Sequence, residues 1–190
     1  NPKQFLDVLG IGKSLLRLTF ERLLGVSDVS RIYILTNERY RDLVLSQLTE
    51  LTVDQVICEP ERKNTAPCIA FAAAKILGLN PNATLVISPS DHLIINTNRF
   101  VSLINTAVTE ANQGQLVTLG IQPSRPDTGY GYIEIDKSKD QEIYKVQAFC
   151  EKPNLVTAQK YLESGNYLWN AGMFVWSLST ILGAYEKYAS

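Results

Sequence analysis

Between Lys13 and Ile121 the chain alternates four times between a stretch of helical periodicity and a short run of apolar or β-branched residues. This alternation is the strongest constraint on the fold. Parallel neighbours in a sheet need a crossover of a dozen residues or more, usually a helix, and such crossovers are right-handed. "KSLLRLTFERLLG" places Leu15, Leu16, Thr19, Phe20, Leu23 and Leu24 at helical spacing before Gly25. "RIYILT" (residues 31–36) reads as a strand, and "NERYRDLVLSQL" as a helix capped by Asn37. "DQVICEP" is the next strand, stopped by Pro60. It is followed by the apolar helix "APCIAFAAAKILG", with Pro67 in its first turn. "ATLVISP" is apolar throughout, as a central parallel strand should be, and "NRFVSLINTAVTEANQG" leads from it to "LVTLGI".

After Gln122 the pattern changes. "GYGYIEI" and "EIYKVQAFCEKP" read as paired strands with no helix between them. "NLVTAQKYLESG" is a helix, "YLWNAGMFVW" a strand and "LSTILGAYEKYA" a final helix. The expectation is an α/β fold of Rossmann-like kind, a mixed and mainly parallel sheet flanked by helices. The second half extends the sheet and builds the other wall of a cleft. With no repeat or evident linker, residues 1–190 read as one continuous domain.

Composition narrows the function more than the fold. Eighteen basic residues stand against nineteen acidic ones, so no surplus charge draws the chain to nucleic acid or a membrane. No apolar run approaches the roughly 20 residues of a membrane span. Cys58, Cys68 and Cys150 lack zinc-site spacing and read as buried thiols of a reducing compartment, so cytoplasm is the default location. "GIGKS" imitates a phosphate loop. Asp7 stands where its first glycine is needed, and only six residues precede it, too few for the strand that must come before. Gly12, Lys13 and Ser14 therefore read as a helix start.

Ligands of open α/β sheets bind beyond the carboxyl ends of the strands. "SPSDH" occupies such an end, and a carboxylate there, Asp91, suits a hard divalent cation; a turn-capping Asp91 is the blander alternative. The loop Glu61–Thr65 runs into a helix N-terminus, where free N–H groups favour an anion or a polar ring edge. Asn64 and Thr65 offer the paired donors and acceptors of base recognition, and a simple cap at Thr65 is the alternative. In "PDTGYGYIE" the glycines around Tyr130 permit close approach of a ligand, or merely a turn. "FCEKPN" sets Glu151 beside Lys152; adjacent strand residues face opposite ways, so both serve one ligand only if the strand bends near Pro153. Asn170, inside an apolar strand, needs a ligand hydroxyl or a backbone partner.

Taken in order, "PKQF", "EPERKNTAP", "SPSDHLI", "TLGIQPSRPDTGYGYIE", "FCEKPN" and "YLWNAGMFVW" resemble the sugar-1-phosphate nucleotidyltransferases, specifically the bacterial mannose-1-phosphate guanylyltransferase family. The resemblance spans essentially the whole chain. It implies transfer of GMP from GTP to mannose 1-phosphate, with release of pyrophosphate and with Mg2+ present. It implies that Lys3 holds the nucleotide phosphates and that Asn64, Thr65, Ala66 and Pro67 meet guanine. It implies Asp91 as metal ligand, Tyr130, Gly131, Glu151 and Asn170 on the sugar, and Lys152 on the sugar phosphate. It implies Lys3, Asp91 and Lys152 as the catalytic set. Such chemistry needs positioning and charge neutralisation rather than a general base, because the attacking phosphate is already ionised. His92 then falls to a supporting role.

The family opens with a strand and a glycine-rich signature, GGxGxRLxPLSR, just ahead of "PKQF", and carries a second metal-binding aspartate beyond the position of Ser190. No residue here matches either. The expectation is a fragment truncated at both ends, lacking the first strand and weakly active or inactive, with open sheet edges that favour self-association. Three alternatives stand beside this reading: a binding module without turnover, a nucleotidyltransferase for another sugar or base, and a metal-dependent hydrolase built on Asp91 and His92.

Overall fold

A computed structural model describes residues 2–59, 65–137 and 142–188. The chain divides into two compact units, one of Asn1–Val117 with Val175–Ser190 and one of Thr118–Phe174.

The larger unit contains α1 (Leu15–Leu23), which Ser14 caps by accepting the Arg17 N–H at 3.2 Å. Ahead of it, the Asp7 carboxylate accepts the amides of Ile11 (3.1 Å) and Gly12 (2.6 Å), while Gly10 and Gly12 take the left-handed backbone this tight loop requires. Those amides are thus engaged by a carboxylate rather than open to phosphate, and "GIGKS" is a helix start. Leu16 and Phe20 of α1 join Phe5, Ile32, Val44, Leu48, Leu51 and Val56 in one buried cluster. Truncating Phe20 to alanine would cost about 3–5 kcal/mol.

Around this cluster lie β1 (Ile34–Asn37), α2 (Arg41–Gln47) and β2 (Val56–Glu59). Asn37 accepts the Arg39 N–H, but the turn it caps is a short 3-10 turn, Glu38–Tyr40, that precedes α2. Then come α3 (Thr65–Leu77), β3 (Thr84–Ile87), α4 (Thr97–Asn112) and, past the left-handed Gly114, β4 (Val117–Ile121). The smaller unit contains β5 (Tyr132–Ile135), β6 (Val146–Cys150), α5 (Leu155–Ser164) and most of β7 (Tyr167–Ser177); α6 (Leu178–Tyr188) closes the chain. Asn154 caps α5 and Gly165 ends it in the left-handed conformation, as a C-terminal glycine should.

Strand pairing departs from a single run of parallel strands. β1 and β2 pair in parallel as a sheet of their own, in register Ile34↔Val56 to Asn37↔Glu59. The other sheet has order β3-β7-β5-β6 with β4 also on β7, and β5 is antiparallel to both β6 and β7. β1 and β3 are therefore each paired on one side only among the described residues. Every residue of β3 is half-buried, not enclosed as a central strand would be, and β1 shows the same pattern. The cysteines are free and half-buried rather than fully enclosed. Burial and the neighbouring Glu59 carboxylate push the Cys68 thiol up to about 12, so it is inert.

Candidate active site

In the larger unit, Lys3 begins a 3-10 turn, Lys3–Phe5, whose last residue is anchored twice. The Phe5 ring enters the core and lies 5.4 Å from the Tyr40 ring. The Phe5 carbonyl accepts from Gln47 Nε2 at 3.2 Å, and the Gln47 oxygen in turn accepts from Ser14 Oγ at 2.6 Å. The backbone below Lys3 is thus fixed while its ammonium reaches outward.

Asp91 follows the end of β3 by one short turn, at the position expected for it. Its Oδ2 lies 3.9 Å from Lys3 Nζ and its Oδ1 3.9 Å from His92 Nε2. The side chains of Asp91 and Lys3 are 47% and 63% exposed, and a pair so loose and so wet contributes between nothing and about 1 kcal/mol. A stronger electrolyte can separate it. Burial draws His92 below its ordinary value, opposed by Asp91 and reinforced by Lys3 and Arg22, so the imidazole is neutral at physiological pH.

α3 begins at Thr65, which is its first helical residue rather than its cap, and Pro67 is exposed in the first turn. Ala66 lies between them; Asn64 falls outside the described residues. Glu59 at the tip of β2 faces Cys68 in that same first turn, a link no local motif announces.

The smaller unit contains five predicted residues, Tyr130, Gly131, Glu151, Lys152 and Asn170. Gly131 accepts the Asn170 N–H on its carbonyl at 2.8 Å. A Cβ at Gly131 would lie 3.6 Å from the Cys150 carbonyl and 3.9 Å from Asn170 Cβ, an ordinary distance, and its φ is not left-handed. Neither strain nor crowding within the protein requires glycine there. The Tyr130 ring stands 5.1 Å from Trp169 and remains 45% exposed. β6 ends at Cys150, opposite Tyr132, so Glu151 follows at once and is exposed, as is Lys152 in the bend beyond. Both residues lie past the end of the strand, so its alternation does not govern them.

The loop beneath them is tightly built. Asp127 accepts the Gly129 amide at 2.8 Å and pairs with Arg125 at 2.6 Å, which lowers the carboxyl below its usual range, the Gly129 bond contributing most. The hydroxyl of the fully buried Tyr132 accepts from the Asp127 amide and donates to its carbonyl, at 3.1 and 2.8 Å. Arg125 also lies 5.4 Å over Trp169. Asn170 finds the backbone partner the sequence left open. Its side-chain oxygen accepts the Gly172 amide at 2.9 Å, and Gly172 is left-handed within the strand. Sequence reading singled out the ends of this loop but missed Arg125, Asp127, Tyr132 and Trp169. The spacing Asp-x-Gly in "PDTGY" was the available signal for the Asp127 turn.

These features belong to a nucleotidyltransferase-like α/β protein, and the family model "Nucleotidyl transferase" matches residues 1–189. The chain belongs to that family. It is 38% identical over 190 residues to a mannose-1-phosphate guanylyltransferase of Sinorhizobium fredii, a match covering 98% of this chain and 37% of the relative. It is 38% identical to the protein of that name from Escherichia coli K12, covering 98% and 40% of the two chains. The chain thus spans about two fifths of the length of the curated relatives it matches. Among solved structures, one described as mannose-1-phosphate geranyltransferase from Thermus thermophilus superposes with a TM-score of 0.88 at 27% identity, covering 98% of this chain and 54% of that one. Another, described as mannose-6-phosphate isomerase from Helicobacter pylori, gives 0.85 at 35% identity, covering 99% and 70%.

Proposed function

We propose that this chain carries the nucleotide-binding and sugar-phosphate-binding residues of a mannose-1-phosphate guanylyltransferase, which joins GMP from GTP to mannose 1-phosphate and releases pyrophosphate. The observation that carries the reading is the exposed pair of Lys3 and Asp91 at a strand tip, 3.9 Å apart. A lysine and a carboxylate so weakly engaged with each other suit a triphosphate and its cation, each drawing away the partner of opposite sign.

The donor set fits Mg2+. That ion keeps several waters and takes one or two carboxylates with substrate phosphates rather than a full protein cage. A single half-exposed Asp91 matches this demand, and the described residues contain no group of three or more potential ligands. When bound at Asp91, Mg2+ would neutralise phosphate charge and make the α-phosphorus more electrophilic. Lys3 would hold the phosphates of GTP by charge. The first turn of α3, with Thr65, Ala66 and Pro67, and Asn64 before it, would meet guanine.

The smaller unit would take the other reactant. Gly131 leaves its own space free for a sugar ring, Tyr130 offers an exposed ring and hydroxyl, and Glu151 and Asn170 offer polar groups for the sugar hydroxyls. Lys152 would neutralise the sugar phosphate, whose ionised oxygen is the nucleophile. No side chain need take a proton from it, which suits a His92 that sits neutral beside Asp91.

Equilibrium titration of the chain with GTP in Mg2+, and separately with mannose 1-phosphate, tests the reading. Saturable binding of both ligands is expected, with GTP affinity falling when Mg2+ is removed. Failure to bind either ligand, or preference for glucose 1-phosphate over mannose 1-phosphate, contradicts it.

A further inference from the structure

Beside α1, and next to the turn that carries Asp91 and His92, a cavity of about 440 Å3 has apolar walls from Leu9, Leu18, Leu93, Ile94 and Ile95. Glu21, Arg22 and Thr97 also line it. Arg22 is only 4% exposed, and its guanidinium has unusually little to answer its charge. Nη2 donates to Thr19 Oγ1 at 3.1 Å and the group lies 5.0 Å over the Phe100 ring, but Nε is buried without a partner. The adjacent carboxylate, Glu21, is already held by Lys13 at 2.8 Å and Arg17 at 2.9 Å. Arginine is almost never fully buried unless paired, because a charge withdrawn from water needs an opposite charge or several acceptors. A hydroxyl and an aromatic face supply part of that need.

We propose that the cavity binds a small amphiphilic anion, an acidic group carried on an apolar body, with the acid paired to Arg22 and the body against the leucine and isoleucine walls. The anion supplies the missing counter-charge. The walls supply the transfer of apolar surface from water, and the site discriminates against both inorganic anions and neutral hydrophobes. Occupation also holds residues 93–97, which follow directly on the turn carrying Asp91.

The probe is 8-anilinonaphthalene-1-sulfonate, titrated by fluorescence against the chain, with uncharged N-phenyl-1-naphthylamine as its partner. Saturable one-to-one binding of the sulfonate is expected, with the uncharged compound at least about tenfold weaker, the scale of a lost charge-assisted hydrogen bond. Arg22→Gln should weaken the sulfonate by a similar factor and leave the uncharged compound unchanged. Ile95→Glu alters a side chain that is 90% exposed, so folding is preserved, and sets a like charge at the mouth; it too should weaken the sulfonate about tenfold or more. Amide hydrogen exchange at residues 93–97 should slow with the sulfonate bound. Equal affinity for the two compounds, unsaturable binding, an unaffected Ile95→Glu variant, or unchanged exchange at residues 93–97 would each overturn the proposal.

Discussion

Lys3 and Asp91 in the larger unit touch each other at 3.9 Å and are about half exposed or more, whereas Gly131 and Asn170 in the smaller unit are fixed by short backbone bonds. The loop leading to Tyr130 is closed by Asp127, Arg125 and the Tyr132 hydroxyl. On the proposed reading, the contrast suits what each set would recognise. A triphosphate and its cation are bound mainly through charge, which acts over several ångströms and tolerates mobile side chains. A sugar is distinguished by hydroxyl positions, and hydrogen bonds weaken steeply with distance and angle, so its frame must be rigid.

If the smaller unit is the rigid one, it should break more readily. The largest expected effect is Gly120→Ala, whose Cβ would fall 2.5 Å from Leu168 Cδ1 and 2.7 Å from its Cβ. Overpacking of this kind costs about 1–3 kcal/mol, read as a lower urea midpoint with unchanged slope. Tyr132→Phe removes a hydroxyl bonded to both backbone groups of Asp127 and should cost about 1–2 kcal/mol, with weaker mannose 1-phosphate binding. Lys3→Ala, by contrast, should change stability by less than about 0.5 kcal/mol while weakening GTP. A Lys3→Ala variant as unstable as Tyr132→Phe would erase the contrast.

The smallest effect is a pH dependence. Burial holds His92 below its ordinary value near 6.5, so the unfolded chain binds the proton more readily. The stability this confers is complete above about 6.5 and declines as pH falls below that value toward the folded one. Urea unfolding at a series of pH values should show this slope, and His92→Gln should flatten it.

Much of this was legible in the chain because it is local. Ser14 and Asn154 cap helices where a short polar side chain precedes an apolar period, and Gly165 ends one. Asp91 stands just past the tip of β3 after an apolar run, and the glycines around Tyr130 lie ahead of β5, where the local pattern put them. What escaped depends on distant partners. The period of β3 looks central, yet whether a strand is enclosed depends on which strands flank it, and β3 pairs with β7 alone among the described residues. Arg22 reads as an exposed helix arginine until Phe100 covers it. Tyr132 looks like any strand tyrosine until its hydroxyl is seen closing the Asp127 turn. Their order along the chain joined individually ambiguous motifs into one protein class, and the family match over residues 1–189 bears that out.

The most direct test exchanges one residue in each unit. In calorimetric titrations, Asp91→Ala should lose Mg2+-dependent GTP affinity by about a hundredfold while keeping mannose 1-phosphate, and Glu151→Ala should do the reverse. If Asp91→Ala binds GTP as tightly as the unaltered chain in the presence of Mg2+, the assignment of the strand-tip aspartate is wrong.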